Sequence, residues 1–206
     1  MSERSKESYG ERGTTLVDRF GVWLSQRAIR RRLPRRNGLR ILELGCGYQA
    51  TQLRAIRDRL AHGTGVDFRI APELLSEPGF SFVEGSIEQA LPKLEQGAFD
   101  AVLLISVLEH LSDPLVALTR IRELLRPGGV LLVNVPTWRG KFFLELSAFR
   151  LGFSPKLEMD DHKMYYDKRD LWPLLVKAGF RPSAIRLGYH KFGLNLFATA
   201  SVPVHG

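Results

Sequence analysis

Ile41-Leu42-Glu43-Leu44-Gly45-Cys46-Gly47 is an apolar run carrying one acid that breaks into a Gly-x-Gly turn, and a helix-compatible stretch begins at Thr51. A strand ending in a glycine turn and a helix N-terminus makes a ligand seat, because glycine lets the backbone approach and the turn amides face the ligand. The run from Gly45 to Ala50 reads G-x-G-x-x-A, and Asp67 follows at the end of the next apolar run. That spacing suits a nucleoside-containing cofactor whose ribose hydroxyls an acid binds. Taken alone, the turn serves a nicotinamide dinucleotide as well as any other such cofactor.

Working outward, short apolar runs alternate with helical patterns. The periodicity predicts strands near 40–44, 63–67, 80–84, 99–106 and 129–135, with helices over 51–60, 70–75, 87–91 and 113–125. Ser112 or Asp113 is placed to cap the last of these. A further helix is expected over 168–178, closed by Gly179, and then an antiparallel pair over 180–189 and 191–202. Alternating strands and helices with apolar strands argue a parallel sheet covered on both faces, with ligands beyond the carboxyl ends of the strands. Glu43, Gly45, Asp67, Ser86 and Ser106 all fall at such ends.

The 206 residues, 44% of them hydrophobic, suffice for one buried core, and the reading is a single domain over 1–206. Its expected parts are a basic helical segment (1–37), a cofactor-binding core (38–135), a variable lid or substrate segment (136–167) and a C-terminal helix and strand pair (168–206). The first 15 residues are polar, and no apolar run reaches the roughly 18 residues of a spanning helix, so a cytoplasmic protein is expected. Cys46 is the one cysteine, which excludes an intrachain disulfide and argues against a thiolate metal site.

Residues 1–40 hold eleven Lys/Arg against four Asp/Glu, so seven of the eight net positive charges sit there. Phe20, Trp23, Leu24, Ala28 and Leu33 space as one helix face, with Arg27, Arg30, Arg31, Arg32, Arg35 and Arg36 crowding the far end. The pattern fits a capping helix with solvated arginines. It also fits peripheral contact with an anionic membrane surface at the inner face. No nucleic-acid module signature accompanies the charge, and nucleic acid is not expected as a partner.

Glu43-Leu44-Gly45-Cys46-Gly47 resembles the first motif of class I S-adenosylmethionine-dependent methyltransferases, Gly65-Val66-Asp67 their acidic second-strand motif, and Phe99-Asp100-Ala101-Val102 their fourth strand. Ser106-Val107-Leu108-Glu109-His110-Leu111 and Arg126-Pro127-Gly128-Gly129 follow in the family's order. The resemblance implies an α/β, Rossmann-like doubly wound fold: a mostly parallel seven-stranded sheet, helices on both faces and an antiparallel last strand. It implies S-adenosyl-L-methionine as cofactor, held by Glu43, Gly45, Cys46, Gly47, Asp67, Phe68, Gly85, Ser86, Ile87 and Ser106. Glu43 is expected near the ammonium and Asp67 on both ribose hydroxyls. Ser86 stands where the family often carries Asp, and Ser106 is expected to make a backbone contact to the methionine part.

Methyl transfer from a sulfonium is an in-line displacement with a good leaving group, so alignment is the protein's main task. A base is needed only when the acceptor atom bears a proton. His110, Glu109 and His162 are the candidate catalytic residues, with Asp160, Asp161, Tyr165 and Tyr166 as alternatives. Adjacent Asp161 and His162 do not make a recognisable ligand spacing, and no metal is assigned. Glu84-Gly85-Ser86-Ile87-Glu88, Leu108 to Pro114 and Arg139-Gly140-Lys141 resemble the O-methyltransferases of ubiquinone biosynthesis, which implies O-methylation of a small or lipid-linked hydroxylated acceptor. Phe142, Phe143, Leu146, Phe149 and Leu151, flanked by Trp138, Arg139, Lys141 and Arg150, form an amphipathic stretch that suits either a greasy substrate, a bilayer or a packed lid. Two other readings stay open: an NAD(P)-dependent oxidoreductase using the same turn, and a non-catalytic partner protein retaining the fold.

Overall fold

A computed structural model describes residues 8–11, 16–140 and 164–204. Seven strands form one sheet: β1 (Leu39–Leu44), β2 (Leu60–Asp67), β3 (Phe80–Glu84), β4 (Phe99–Ile105), β5 (Leu125–Pro136), β6 (Ile185–His190) and β7 (Asn195–Ser201). Their order is β3-β2-β1-β4-β5-β7-β6, and β7 runs antiparallel to both neighbours while the other six are parallel. This is the expected mixed sheet. The dinucleotide-binding order ends in a sixth parallel strand beside the fifth; here an antiparallel strand takes that place.

Leu42, Leu44, Val102, Leu104, Leu131 and Val133 point to one face, where they pack with Leu118, Ile121, Leu171 and Leu175. Those last four come from helices α4 (Pro114–Leu124) and α5 (Lys168–Lys177). Ile41, Leu103, Leu132 and Phe197 point to the other, against Ala28, Ile29 and Leu33 of helix α1 (Leu16–Arg32) and its exit, and Leu53 of α2 (Thr51–Ala55). Strand β4 is buried at six of its seven positions, as a central strand covered on both sides must be. The short α3 (Ile87–Ala90) closes the first face near β3.

Several element boundaries differ from the periodicity. Helix 51–60 ends at Ala55, and a 3-10 turn at Arg57–Arg59 leads into β2, which already starts at Leu60. The helix expected over 70–75 is a single 3-10 turn, Pro72–Leu74, with proline at its start. Strand β6 starts at Ile185, because Pro182 opens a 3-10 turn that proline's fixed φ favours. Strand β7 starts at Asn195, since Lys191 and Phe192 adopt φ of 49° and 60° and break extended geometry. At the amino ends of the strands, buried Asp100 binds both Arg36 and Arg126 and accepts from the Arg40 amide at 2.8 Å. The Arg126 to Gly129 turn is thereby tied to the chain entering β1.

The N-terminal face divides in two. Ala28, Ile29 and Leu33 are buried on the sheet, as a capping helix requires, whereas Phe20 and Trp23 stack on one another at 5.9 Å and are half exposed. No helix among the described residues is long and apolar enough to cross a membrane. His162, Asp160, Asp161 and the amphipathic stretch 142–151 lie outside the described residues.

Candidate active site

The carboxyl ends of β1, β2, β4, β5 and β6 meet along one edge, and the predicted site residues that are described, all but His162, lie at or under the turns that leave it. Gly45 and Gly47 turn out of β1 with φ of 71° and 75°, conformations glycine adopts without steric cost. A side chain at Gly45 would begin 2.3 Å from Val107 Cγ2 and one at Gly47 3.1 Å from the Tyr9 carbonyl oxygen. Gly45 is therefore fixed by its fit against the loop after β4, not by open space toward a ligand.

The turn amides are engaged within the chain. Those of Gly45 and Cys46 donate to the Val66 carbonyl at 2.8 and 3.1 Å, that of Gly47 to Asp67 Oδ2 at 2.7 Å, and that of Tyr48 to the Tyr9 carbonyl at 2.9 Å. The expected open amide cradle is thus closed by β2 and by residues 8–11. Asp67, buried at the end of β2, also accepts from the Phe68 amide at 2.8 Å and from the Ser8 hydroxyl at 2.5 Å. The Arg69 amide in turn donates to Ser8 Oγ at 2.7 Å, and the Arg69 side chain pairs with Glu11. Burial raises the Asp67 pKa, against the lowering effect of these donors.

Glu43 faces the second sheet surface, fully buried, and its Oε2 accepts from the Leu53 amide at 3.0 Å. Ala50, the residue before α2, offers no capping side chain, so the β1 carboxylate supplies the acceptor that an N-cap residue ordinarily provides. Burial pushes its pKa well up. Cys46 packs among Ala50, Ile70, Ala71 and Leu74, and burial raises its thiol far above the reactive range.

The adenine-side candidates are local in their contacts. Gly85 donates its amide to the Asp67 carbonyl, the Ser86 hydroxyl accepts from Gln89 at 3.2 Å as the cap of α3, and Ile87 packs on the core. Phe68 is 41% exposed at the same edge. Ser106 leaves β4 at φ 56°, exposed, while its amide donates to the Asn134 carbonyl at 2.7 Å. A non-glycine residue in that region is strained, and such strain concentrates at functional sites.

Glu109 and His110 sit in the 3-10 turn Leu108–His110 that follows. His110 is exposed. Glu109 is buried, neither of its oxygens has a hydrogen-bond partner, and burial pushes its pKa to about 8. Its environment carries Lys191, after β6, and Tyr166, before α5, whose pKa is pushed to about 12 by burial and the Glu109 charge. The Tyr166 hydroxyl and both amide atoms of Asn134 are likewise buried and unpartnered. Ser8, Asn134 and Lys191 had no signal in the sequence: each is an ordinary residue type in a run that carries no motif. Among the described residues no cluster of His, Cys, Asp and Glu stands ready for a metal.

The fold is that of known methyltransferase structures. The chain is 34% identical over 106 residues to a ubiquinone biosynthesis O-methyltransferase of Xanthomonas campestris, covering 47% of this chain and 43% of that protein. With the protein of the same name from Dinoroseobacter shibae it is 29% identical over 154 residues, covering 70% and 61%. The chain thus spans less than two thirds of the length of these curated relatives. A SAM-dependent methyltransferase from Archaeoglobus fulgidus superposes with a TM-score of 0.66 at 16% identity, over 92% of this chain and 95% of that one. A family profile described as a methyltransferase domain matches residues 18–184. This chain belongs to the methyltransferase-domain family, whose methyl donor is S-adenosylmethionine.

Proposed function

We propose that this chain transfers a methyl group from S-adenosylmethionine to a hydroxyl oxygen of a small or lipid-linked acceptor. The observation that carries the oxygen assignment is Glu109: a buried, unpartnered acid just beyond β4, with a pKa near 8, is matched to taking the proton that a hydroxyl must lose. The donor, when bound, supplies an activated methyl on a good leaving group, so the protein's own residues have to orient and deprotonate. Asp67 and the Gly45 to Gly47 turn are assigned to the donor's ribose, with Phe68, Gly85, Ser86 and Ile87 beside the adenine and Ser106 beside the methionine part. Ser8 has to release Asp67 for the ribose hydroxyls to take its place. Glu43 is assigned to shaping the turn from below, through α2. His110 and His162 are assigned a supporting place near the acceptor.

Calorimetric titration with S-adenosylhomocysteine tests the donor site, and transfer of labelled methyl to a panel of catechols and matched aromatic amines tests the acceptor. Label on the hydroxylated compounds alone is expected; label on the amines alone would overturn the oxygen assignment. Heat from NADH in place of S-adenosylhomocysteine would return the turn to the oxidoreductase reading. Donor binding without transfer to any class of acceptor would favour a non-catalytic partner protein.

A peripheral membrane role is supported by one surface. Phe20 and Trp23 stack in solvent, Arg27 lies 5.9 Å over the Trp23 ring, and Arg31 is exposed on the next turn, while Arg30 is paired with Asp58. Aromatic and basic side chains together suit an anionic lipid interface. Flotation with phosphatidylserine vesicles is expected at low salt and is expected to fade with salt and with Phe20→Ser/Trp23→Ser; no flotation at low salt removes the role.

A further inference from the structure

Four consecutive residues hold three parts of the turn assigned to the donor. Ser8, Tyr9, Gly10 and Glu11 form a tight turn of their own, closed by the Glu11 amide on the Ser8 carbonyl at 3.2 Å, with Gly10 in its third position at φ 84°. A type II β-turn asks for glycine there, because its third residue has positive φ. From this turn the buried Ser8 hydroxyl donates to Asp67 Oδ1 at 2.5 Å and accepts from the Arg69 amide at 2.7 Å. The Tyr9 carbonyl takes the Tyr48 amide at 2.9 Å. It also stands 3.1 Å from the place of a Cβ on Gly47, with Tyr9 Cβ at 3.7 Å, so the room left by that glycine is filled.

Acid, turn amide and glycine gap are the three features by which such a turn receives a nucleoside. Here one short stretch of the chain occupies all three. Ser8 Oγ is also chemically what a ribose hydroxyl is, a single donor that keeps lone pairs to accept with, and it uses both functions. Residues 8–11 precede the stretch 18–184 that matches the methyltransferase domain, so these contacts are an addition of this chain to that domain.

Resting on the donor assignment made above, we propose that residues 8–11 are an autoinhibitory strap, an internal competitor that holds the place of the donor's ribose and has to swing away before the donor binds. Ser8 is one of its fastenings and Glu11 is the other. The Glu11 carboxylate spans the strap, Oε2 accepting from the Ser8 amide at 3.4 Å and Oε1 pairing with Arg69 at 2.7 Å. An ion pair exposed on its arginine side contributes little by itself, and one hydroxyl–carboxylate bond contributes a modest amount. The strap is therefore poised rather than locked. A donor meets its seat only in the fraction of molecules whose strap is away, and its apparent dissociation constant rises by the reciprocal of that fraction. A strap that instead walled the donor in would act with the opposite sign: loosening it would weaken binding.

Ser8→Ala and Glu11→Ala, made singly in the full chain, unfasten the strap at its two ends. Amide hydrogen exchange, read residue by residue by NMR, is expected to quicken at Tyr48 in both variants. Gly45 and Cys46 are expected to exchange as before, since their amides are held by the Val66 carbonyl and not by the strap, and they show that the variants are folded. Calorimetric titration of the same samples with S-adenosylhomocysteine is expected to give dissociation constants about two- to fivefold lower in each variant than in the unaltered protein. Binding that is equal or weaker in either variant overturns the strap and leaves the donor assignment standing, and unchanged exchange at Tyr48 overturns the strap as well. Absence of binding in all three forms overturns the donor assignment, and the strap as a competitor falls with it.

Discussion

Ser8 and Asp67, 59 residues apart in the chain, meet at 2.5 Å, hydroxyl to carboxylate. The same carboxylate holds the Gly47 and Phe68 amides, so three of its roughly four lone-pair sites are taken by the chain itself. On the proposed donor assignment, a ribose has to compete with Ser8 for Asp67. Ser8→Ala is expected to tighten S-adenosylhomocysteine binding by up to about fivefold, the worth of one hydrogen bond near 1 kcal/mol. Asp67→Ala is expected to weaken it by at least about tenfold, since hydrogen bonds to a charged acceptor contribute roughly 1.5–3 kcal/mol. Unchanged affinity in Ser8→Ala would show that residues 8–11 and the ribose do not share the acceptor.

Glu109 sets a pH dependence of definite sign. Its pKa in the fold, about 8, lies above the ordinary carboxyl value of 4.5, so the folded chain binds the extra proton between those limits. The stabilisation is present below the lower value and is lost as pH rises through the upper one, at up to about 1.4 kcal/mol per pH unit. Glu109→Gln is expected to flatten the fall in unfolding free energy across that window. A variant and parent with parallel denaturation profiles would contradict it.

The same group predicts the rate profile. With Glu109 accepting the proton, kcat/KM for a hydroxylated acceptor is expected to climb with pH and level off above about 8, and Glu109→Gln is expected to lose at least about a hundredfold, within the usual range for a general base. A profile unchanged in Glu109→Gln and abolished by His110→Ala would move the base to the histidine.

Glu43 is expected to matter more for α2 than for ligand charge. Glu43→Ala removes the acceptor under the Leu53 amide, a loss of about 1 kcal/mol for a cap, which is roughly 2–4 °C in Tm for a chain of this size. Glu43→Gln keeps an acceptor oxygen and removes a buried acid, so its melting temperature is expected to stay above that of the alanine variant. The reverse order would assign Glu43 to charge rather than to capping.

Gly45→Ala is expected to destabilise the fold through two costs: about 1–3 kcal/mol from overpacking against Val107 and about 1 kcal/mol from the left-handed backbone. Val107→Ala in the same chain removes the first cost only. Thermal unfolding of the single and double variants reads the difference; a double variant no better than the single would place the clash elsewhere.

The sheet was legible because its signals are local. Leu42 and Leu44, Val102 and Leu104 sit in short apolar runs closed by glycine or polar residues, and each run became a strand with its predicted end at the edge that gathers the motifs. The contacts that close the site were not legible, because they join distant residues by chemistry common to any surface. Nothing in Ser8 announces Asp67. Lys191 and Phe192 fall in a run that reads as extended because neither is a residue type that favours positive φ; the turn is held by the Leu194 amide on the Lys191 carbonyl and by Thr137, over 50 positions earlier, on Gly193 and Leu194. Glu43 reads as a ligand acid when its neighbours in sequence are considered; its partner, the Leu53 amide, depends on Ala50 failing to cap its own helix.

The antiparallel course of β7 has a practical bearing. It carries the chain from the Lys191 turn back across the sheet, where Val202 donates to the Gly129 carbonyl and accepts from Gly128, so Val202 to Val204 emerge at the edge opposite Asp67. Residues 8–11 lie on Asp67 itself. An affinity handle, a fluorophore or a sensor-chip linkage placed after Val204 is carried a full sheet-length from Asp67, whereas the same attachment before Ser8 loads the segment that lies on that carboxylate.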